Sequence, residues 1–278
     1  MESVLLKVIW YLVHLIVNLF ETIYYFGLEF RENFHNFITN ITKDKPSSTK
    51  ESELQLIESS VQDLEKIPKH IIVILNINNE KDVDLSQLTN LIYWSMNSGV
   101  NFISFYDYKG IVKHQLASSL HHIISKKLNI SDNENIVWGP NYLKGSNSDG
   151  VKFPHRNGYR RHIVINLYSS DDGYGKFNEL LTDELYKKAT NFGDDETLNS
   201  RNITIDKVDR KLSKLFGNIP DPELAIYFGN ITCTAGVLPW HIRLTEFIQI
   251  AYKQHHLSLD KYLRVLHKYA RCEQRFGK

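Results

Sequence analysis

Cysteine is scarce: Cys233 and Cys272 are the only two in 278 residues. Two thiols cannot build a disulfide framework or a zinc cluster, and so few suit a domain folded in a reducing compartment. Neither charge sign dominates, with 33 basic and 32 acidic residues for a net charge of +1. The basic excess that marks a dedicated nucleic-acid binder is therefore missing. Glycine and proline are modest, at 14 and 7, while 42% of residues are hydrophobic and 23% charged. Collagen-like, disordered and disulfide-scaffold classes are excluded on that composition. The chain carries no P-loop, no GxGxxG after a strand, no GxSxG, no HExxH and no internal repeat.

What is present begins with residues 4–28, VLLKVIWYLVHLIVNLFETIYYFGL. A run of about 25 residues can cross a bilayer core of about 30 Å as a helix. Lys7, His14, Asn18 and Glu21 interrupt it at helical spacing and share one stripe with Tyr11 and Tyr25. Leu5, Ile9, Leu12, Ile16, Leu19 and Ile23 hold the opposite face. The pattern fits an interfacial helix or a spanning helix whose polar stripe meets a partner. A helix packed on the protein's own core is the plain alternative. Lys7 precedes the apolar stretch, and Arg31, Lys43, Lys45 and Lys50 follow it. The positive-inside rule then places the rest of the chain in the cytosol. In that orientation the sequons at Asn40, Asn129, Asn202 and Asn230 are expected to carry no glycans.

Residues 43–60, KDKPSSTKESELQLIESS, read as a solvated linker grading into a helix near 53–65. We divide the chain into a membrane-associated helical segment at 1–42, a polar linker at 43–66 and a globular domain at 67–278. In that domain HIIVIL at 70–75 is a continuous apolar run, as in a strand buried on both faces. A helix is expected over 85–98, with Leu88, Leu91, Ile92 and Met96 on one face, then a strand in NFISFYDY and a helix over 115–127. Residues 129–161 read as loop. Strands are expected at 162–169 and 224–228, and helices at 177–190 and 205–216. An apolar stretch at 237–250 leads into a helix, and Ser258 caps a last helix with Tyr262, Leu263, Leu266 and Tyr269 inside. Strands alternating with helices predict an α/β domain with a mostly parallel central sheet flanked by helices.

Three features carry possible chemistry. Asn76, Asn78, Asn79 and Glu80 follow the first strand, where open α/β sheets bind ligands; the bland reading is a polar turn. Residues 220–247 hold Trp240, His241, Arg243 and Glu246, with Arg243 and Glu246 spaced as an i,i+3 helical pair, structural or at a dimer contact. The tail CEQRFGK offers Arg275, whose planar fork suits phosphate, and Gly277, whose backbone can approach an anion closely. A frayed tail is the plain alternative.

Four segments change the balance: GVNFISFYDYKGIVK at 99–113, PDPELAIYFG at 220–229, LPWHIRLTEF at 238–247 and YARCEQRFGK at 269–278. Through them residues 68–278 resemble the cis-prenyltransferase family, and within it the Nogo-B receptor type, the accessory subunit of dehydrodolichyl diphosphate synthase. The departures from the catalytic pattern are informative. Where the family runs from a strand into D-G-N-x-R, Asn76 stands for the metal-binding aspartate, Ile77 for the glycine and Glu80 for the phosphate-binding arginine. An amide does not supply the carboxylate charge that Mg²⁺ prefers. The S-x-E-N-W loop has become YKGIVK, and Tyr227 and Phe228 follow Ile226 where an arginine is usual. The resemblance therefore implies a chain with no catalytic residue and no metal ligand in its own pocket, inactive alone. It implies a heteromer with a catalytic cis-prenyltransferase subunit that holds Mg²⁺. Trp240, Arg243 and Glu246 are then interface or structural residues. Arg275 and Gly277 match the R-x-G that completes the partner's site around isopentenyl diphosphate. The implied setting is the endoplasmic reticulum membrane, in dolichol synthesis for protein glycosylation. A membrane receptor or scaffold that reuses the fold as a binding surface is the alternative.

Overall fold

The computed structural model describes residues 2–42, 50–127, 136–139, 162–179, 182, 204–217, 219–229, 234, 236–251 and 254–273. The chain divides into two compact units, Met1–Lys50 and Glu51–Lys278. The first is one helix, α1 (Glu2–Thr42), 41 residues long and unbroken at Gly27. Its stretch Leu6–Tyr24 has a mean hydropathy of 1.5 and no buried share, so by length and composition it is a candidate membrane span. At about 1.5 Å per residue the whole helix is roughly 60 Å long, about twice a bilayer core.

The second unit is built on a sheet of six strands, all neighbours parallel, in the order β3-β4-β2-β1-β5-β6. The strands are β1 (His70–Leu75), β2 (Phe102–Asp107), β3 (Ile136–Trp138), β4 (Ile163–Tyr168), β5 (Leu224–Phe228) and β6 (Glu246–Ala251). The helices are α2 (Lys50–Gln62), α3 (Leu85–Asn97), α4 (Ala117–Lys127), α5 (Ile205–Phe216) and α6 (Leu259–Ala270). The expected parallel sheet flanked by helices is what forms. A parallel sheet needs both faces covered, so its central strands are apolar throughout; β1, β2 and β4 are buried at every position.

Pleating sorts the strand residues between two cores. Ile71, Val73, Ile103, Phe105, Ile165 and Ile226 meet α2, α3, α4 and α6. Ile72, Ile74, Tyr106, Tyr168 and Ala225 meet α5 through Val208, Leu212 and Phe216, together with Val237 and Leu238. The α3 positions Leu88, Leu91, Ile92 and Met96 are all buried, and Asp84 caps that helix on Ser86 and Gln87. Ser258 caps α6 through the Lys261 N–H, and Tyr262, Leu263, Leu266 and Tyr269 face inward.

Three readings need correction. Residues 238–245 form a turn, with Leu238 at φ 26°, and Glu246–Ala251 is a strand rather than part of a helix. Leu238 and Ile242 mimic helical spacing, but Ile248 and Ile250 are buried while Phe247 and Gln249 are exposed, a period of two. Arg243 and Glu246 therefore do not share a helix face. Second, Ile136–Trp138 inside the expected loop is an edge strand paired with β4. Third, α2 is not simply solvated: Ile57 is fully buried in the main core, with Leu54, Val61 and Leu64 against it. Residues 176–179 are helical, but most of the expected 177–190 helix and most of 129–161 lie outside the described residues.

Burial of Ile57 makes α2 part of the folded unit. A chain starting at Lys50 should unfold cooperatively, one starting at Asp63 should not, and Ile57→Ala should cost about 2–5 kcal/mol. Urea unfolding followed by circular dichroism checks this; an unchanged midpoint for the shorter chain would return α2 to the linker.

Candidate functional site at the C-terminal edge of the sheet

Ligand sites of open parallel sheets lie beyond the carboxyl ends of the strands. After β1, Asn76 is exposed, Ile77 is buried, and Asn78, Asn79 and Glu80 are exposed. Glu80–Asp82 is a short 3₁₀ turn. It swings the Asp82 carboxylate back so that Oδ2 accepts the N–H of Asn78 and of Asn79, each at 2.9 Å. Two adjacent amides of this kind are what an incoming anion would need; here the chain's own carboxylate has them. Lys109, from the loop after β2, donates to the Asn78 carbonyl at 3.1 Å and to its side-chain oxygen at 3.3 Å.

Two further acids of this edge are also engaged. Asp107 ends β2 fully buried, and its carboxylate accepts the N–H of Ile111 at 2.8 Å and of Val112 at 3.0 Å, starting the helical run into α4. Asp172, after β4, accepts from the Ser169 N–H at 2.8 Å and from Lys113 Nζ at 2.6 Å. Gly173 lies so close to the Gly236 carbonyl that a Cβ would stand 2.2 Å from it, so these two loops meet backbone to backbone. Among the described residues no three His, Cys, Asp or Glu side chains converge as a metal-binding group. With an amide at position 76 and three carboxylates committed to N–H groups or Lys113, the residues of this edge do not fit Mg²⁺.

Trp240 and Arg243 come together, without Glu246. The indole N–H of Trp240 donates to Asp209 on α5, Phe177 stacks on its ring at 5.7 Å, and the Arg243 guanidinium lies over it at 4.6 Å. Burial raises the Asp221 carboxyl above its ordinary range, opposed by the Arg243 charge. Glu246 instead opens β6 at the other edge of the sheet, where its N–H donates to the Glu223 carbonyl. Arg275 and Gly277 lie outside the described residues.

Sequence reasoning missed the cluster at that N-terminal edge. Helix α6 runs back from the C-terminal edge and ends there. Tyr269 lies near Glu223, whose carboxylate accepts the Lys69 N–H at 2.6 Å. Lys66 donates to the Cys272 carbonyl with its ammonium 4.8 Å from the Tyr269 ring centre. Burial, with Glu223 and Glu246 nearby, pushes the Tyr269 phenol up to about 12. Separately, His70 is buried in the layer facing α5. Its Nδ1 donates to the Pro220 carbonyl at 2.6 Å, which leaves Nε2 to accept from the Ser104 hydroxyl at 2.7 Å.

No family model matches the chain. The human dehydrodolichyl diphosphate synthase complex subunit NUS1 is 29% identical over 217 residues, spanning 77% of this chain and 68% of the relative. The mouse subunit Nus1 is 25% identical over 221 residues, spanning 79% and 69%. NUS1 of Saccharomyces cerevisiae is 28% identical over 257 residues, spanning 81% and 63%. Two solved structures are similar at lower identity. A Campylobacter jejuni protein described as a probable undecaprenyl diphosphate synthase has TM-score 0.44 and 12% identity, covering 77% of this chain and 100% of the other. The lavandulyl diphosphate synthase of Lavandula x intermedia has TM-score 0.48 and 11% identity, covering 76% and 99%. The resemblance drawn from residues 68–278 is borne out: curated homologues over most of the chain are dehydrodolichyl diphosphate synthase complex subunits.

Burial lowers the His70 pKa from 6.5 to about 4. The unfolded chain then takes up a proton between these values that the folded chain refuses. Stability is full above pH 6.5 and falls as pH drops toward 4, by about 3 kcal/mol from this residue. His241, lowered to about 4 by burial and by Arg243, acts in the same direction. Urea unfolding across pH 4–7 should show His70→Gln with the flatter slope; equal slopes would mean that His70 protonates freely in the fold.

Proposed function

We propose that this chain is a non-catalytic, membrane-anchored subunit of a dehydrodolichyl diphosphate synthase complex, and that its tail completes the active site of a catalytic partner. The carrying observation is the separation between the tail's point of departure and the chain's own ligand edge. Cys272 is held by Lys66 beside the strand starts, while Asn76 follows the end of β1. That strand is 6 residues long, about 20 Å at about 3.3 Å per residue. Arg275 is two residues past Glu273, at most about 7 Å of chain, and Gly277 at most about 14 Å. On this reading a diphosphate ligand at these positions serves a neighbouring subunit.

The engagement of Asp82, Asp107 and Asp172 supports the same division of labour. On this reading the catalytic subunit holds Mg²⁺ and both diphosphates and extends the allylic chain with isopentenyl units. The present chain lends the Arg275 fork and a backbone donor at Gly277, groups suited to a phosphate as charge develops. Helix α1 fixes the complex to the endoplasmic reticulum membrane, with the sheet domain on the cytosolic side. The product then feeds dolichol synthesis and protein glycosylation.

Co-expression with a catalytic cis-prenyltransferase subunit tests this. The chain alone should transfer no prenyl group with Mg²⁺ and both diphosphates, while the complex should exceed the partner alone. Arg275→Ala should leave pairing intact and lower kcat/KM for isopentenyl diphosphate roughly 10- to 100-fold, with Lys rescuing only in part because it keeps the charge and loses the fork. Wild-type activity of Arg275→Ala in a complex of normal stoichiometry would overturn the in-trans role and favour a scaffold.

A further inference from the structure

We infer that α1 lies in the plane of the membrane surface, with its apolar face sunk into one leaflet and its polar stripe in water, and does not cross the bilayer. This deepens the anchoring role proposed above and rests on it. At about 3.6 residues per turn, Ile9, Leu12, Ile16, Leu19 and Ile23 fall on one side of the helix, within an arc of roughly 100°. Phe26, Phe30 and Phe34 continue the same arc past the end of the apolar Leu6–Tyr24 stretch. All three rings are exposed, at 69%, 61% and 56%, and Phe30 stacks on Phe34 with 6.3 Å between ring centres. Lys7, Tyr11, His14, Asn18, Glu21 and Thr22 hold the opposite side and are exposed too.

A crossing helix puts both stripes in the wrong medium. Centred on Leu6–Tyr24, it sets His14 and Asn18 within about 5 Å of the bilayer midplane along the axis. His14 Nδ1 is bonded to the Trp10 carbonyl at 3.0 Å, which leaves Nε2 facing hydrocarbon beside the Asn18 amide, a costly placement for both. The same crossing carries Phe30 and Phe34 about 9 and 15 Å beyond Tyr24, into water. Laid in the plane, one rotation about the helix axis gives each stripe its own medium, as in interfacial helices whose apolar face sinks to the headgroup–acyl boundary. A second copy is a poorer cover. The alternation of Ile9, Ile16 and Ile23 with Leu12 and Leu19 has coiled-coil spacing, but exposed Val8, Val13, Val17 and Phe20 widen the apolar face well beyond a two-helix seam. A leaflet covers the whole of it. Such a helix has no end on the far side of the membrane, so Lys7 stays on the side from which the chain bound.

The test is single-cysteine labelling of the full chain, translated in the presence of sealed microsomes, with Cys233 and Cys272 replaced by serine and a membrane-impermeant maleimide added outside. Every introduced cysteine sits at an exposed position of α1, so the sheet unit keeps its core. Lys7→Cys, Asn18→Cys and Thr22→Cys should all react without detergent. Ile16→Cys, Phe30→Cys and Phe34→Cys should react roughly 10-fold or more slowly until detergent is added. Free reaction of Phe30→Cys and Phe34→Cys, with Asn18→Cys protected and Lys7→Cys reached only after permeabilisation, would mean a crossing helix; it would overturn the inference and leave the anchor standing. A chain that does not float with the microsomes and reacts at every position would remove the anchor and the inference together. Protection of Ile16→Cys in chain translated without microsomes, with a disulfide between copies, would give the face to a second copy and overturn the inference. The same protection without that disulfide would return α1 to the protein's own core and overturn it as well.

Discussion

In an all-parallel sheet the edge where strands begin and the edge where they end are chemically different places. Every connection must carry the chain back from the second to the first. After β6 only one helix makes that journey, and α6 therefore delivers Cys272 and Glu273 to the side of Lys69 and Glu223. The end of α6 is displaced by a strand length from the edge at which this fold class binds ligands. The polarity is set by the strand pairing alone, and no local sequence change at the tail could reverse it.

At the C-terminal edge several acids are engaged by the chain's own groups. Asp107 neutralises two amides at the start of the α4 run, and Lys113 and Asp172 form an ion pair with only 17% and 7% of their side chains exposed. Breaking a pair buried to that degree leaves an uncompensated charge, at about 3–5 kcal/mol. Asp82 on the amides of Asn78 and Asn79 is the clearest case: the same N–H groups would favour a phosphate oxygen, and an internal carboxylate is present at far higher effective concentration. These N–H groups are satisfied in the folded chain.

Much of this was legible in the sequence, and the failures have physical causes. The runs HIIVIL, FISFYD and IVINLY announce buried parallel strands because no polar face interrupts them. Ser258 and the Tyr262–Leu266–Tyr269 stripe announce α6 in the same direct way. β6 was misread because a one-turn reversal at 238–242 contributes Leu238 and Ile242 at helical spacing before the period of two begins. β3 is 3 residues long, too short for any period to show. The site was legible only as residue types. Asn76 and Glu80 could be read as lost ligands, but the capture of two amides by Asp82 and the reach of Lys66 to Cys272 depend on tertiary neighbours that no local pattern encodes.

The polar layer beneath α5 links these points. A slip of one residue in a strand exchanges its two faces, and for β1 that would carry His70 out of reach of both Ser104 and the Pro220 carbonyl. A buried imidazole with unpaired nitrogens is costly, so the two hydrogen bonds select one alignment of β1 against β2 and β5. In that alignment the Lys69 carbonyl accepts from Phe102, the His70 carbonyl accepts from the Glu223 N–H, and the Glu223 carbonyl accepts from Glu246. The Glu223 side chain is thereby placed at the strand starts, within reach of both the Lys69 N–H and Tyr269. The register that buries His70 is thus the same register that builds the floor on which α6 ends and from which the tail departs.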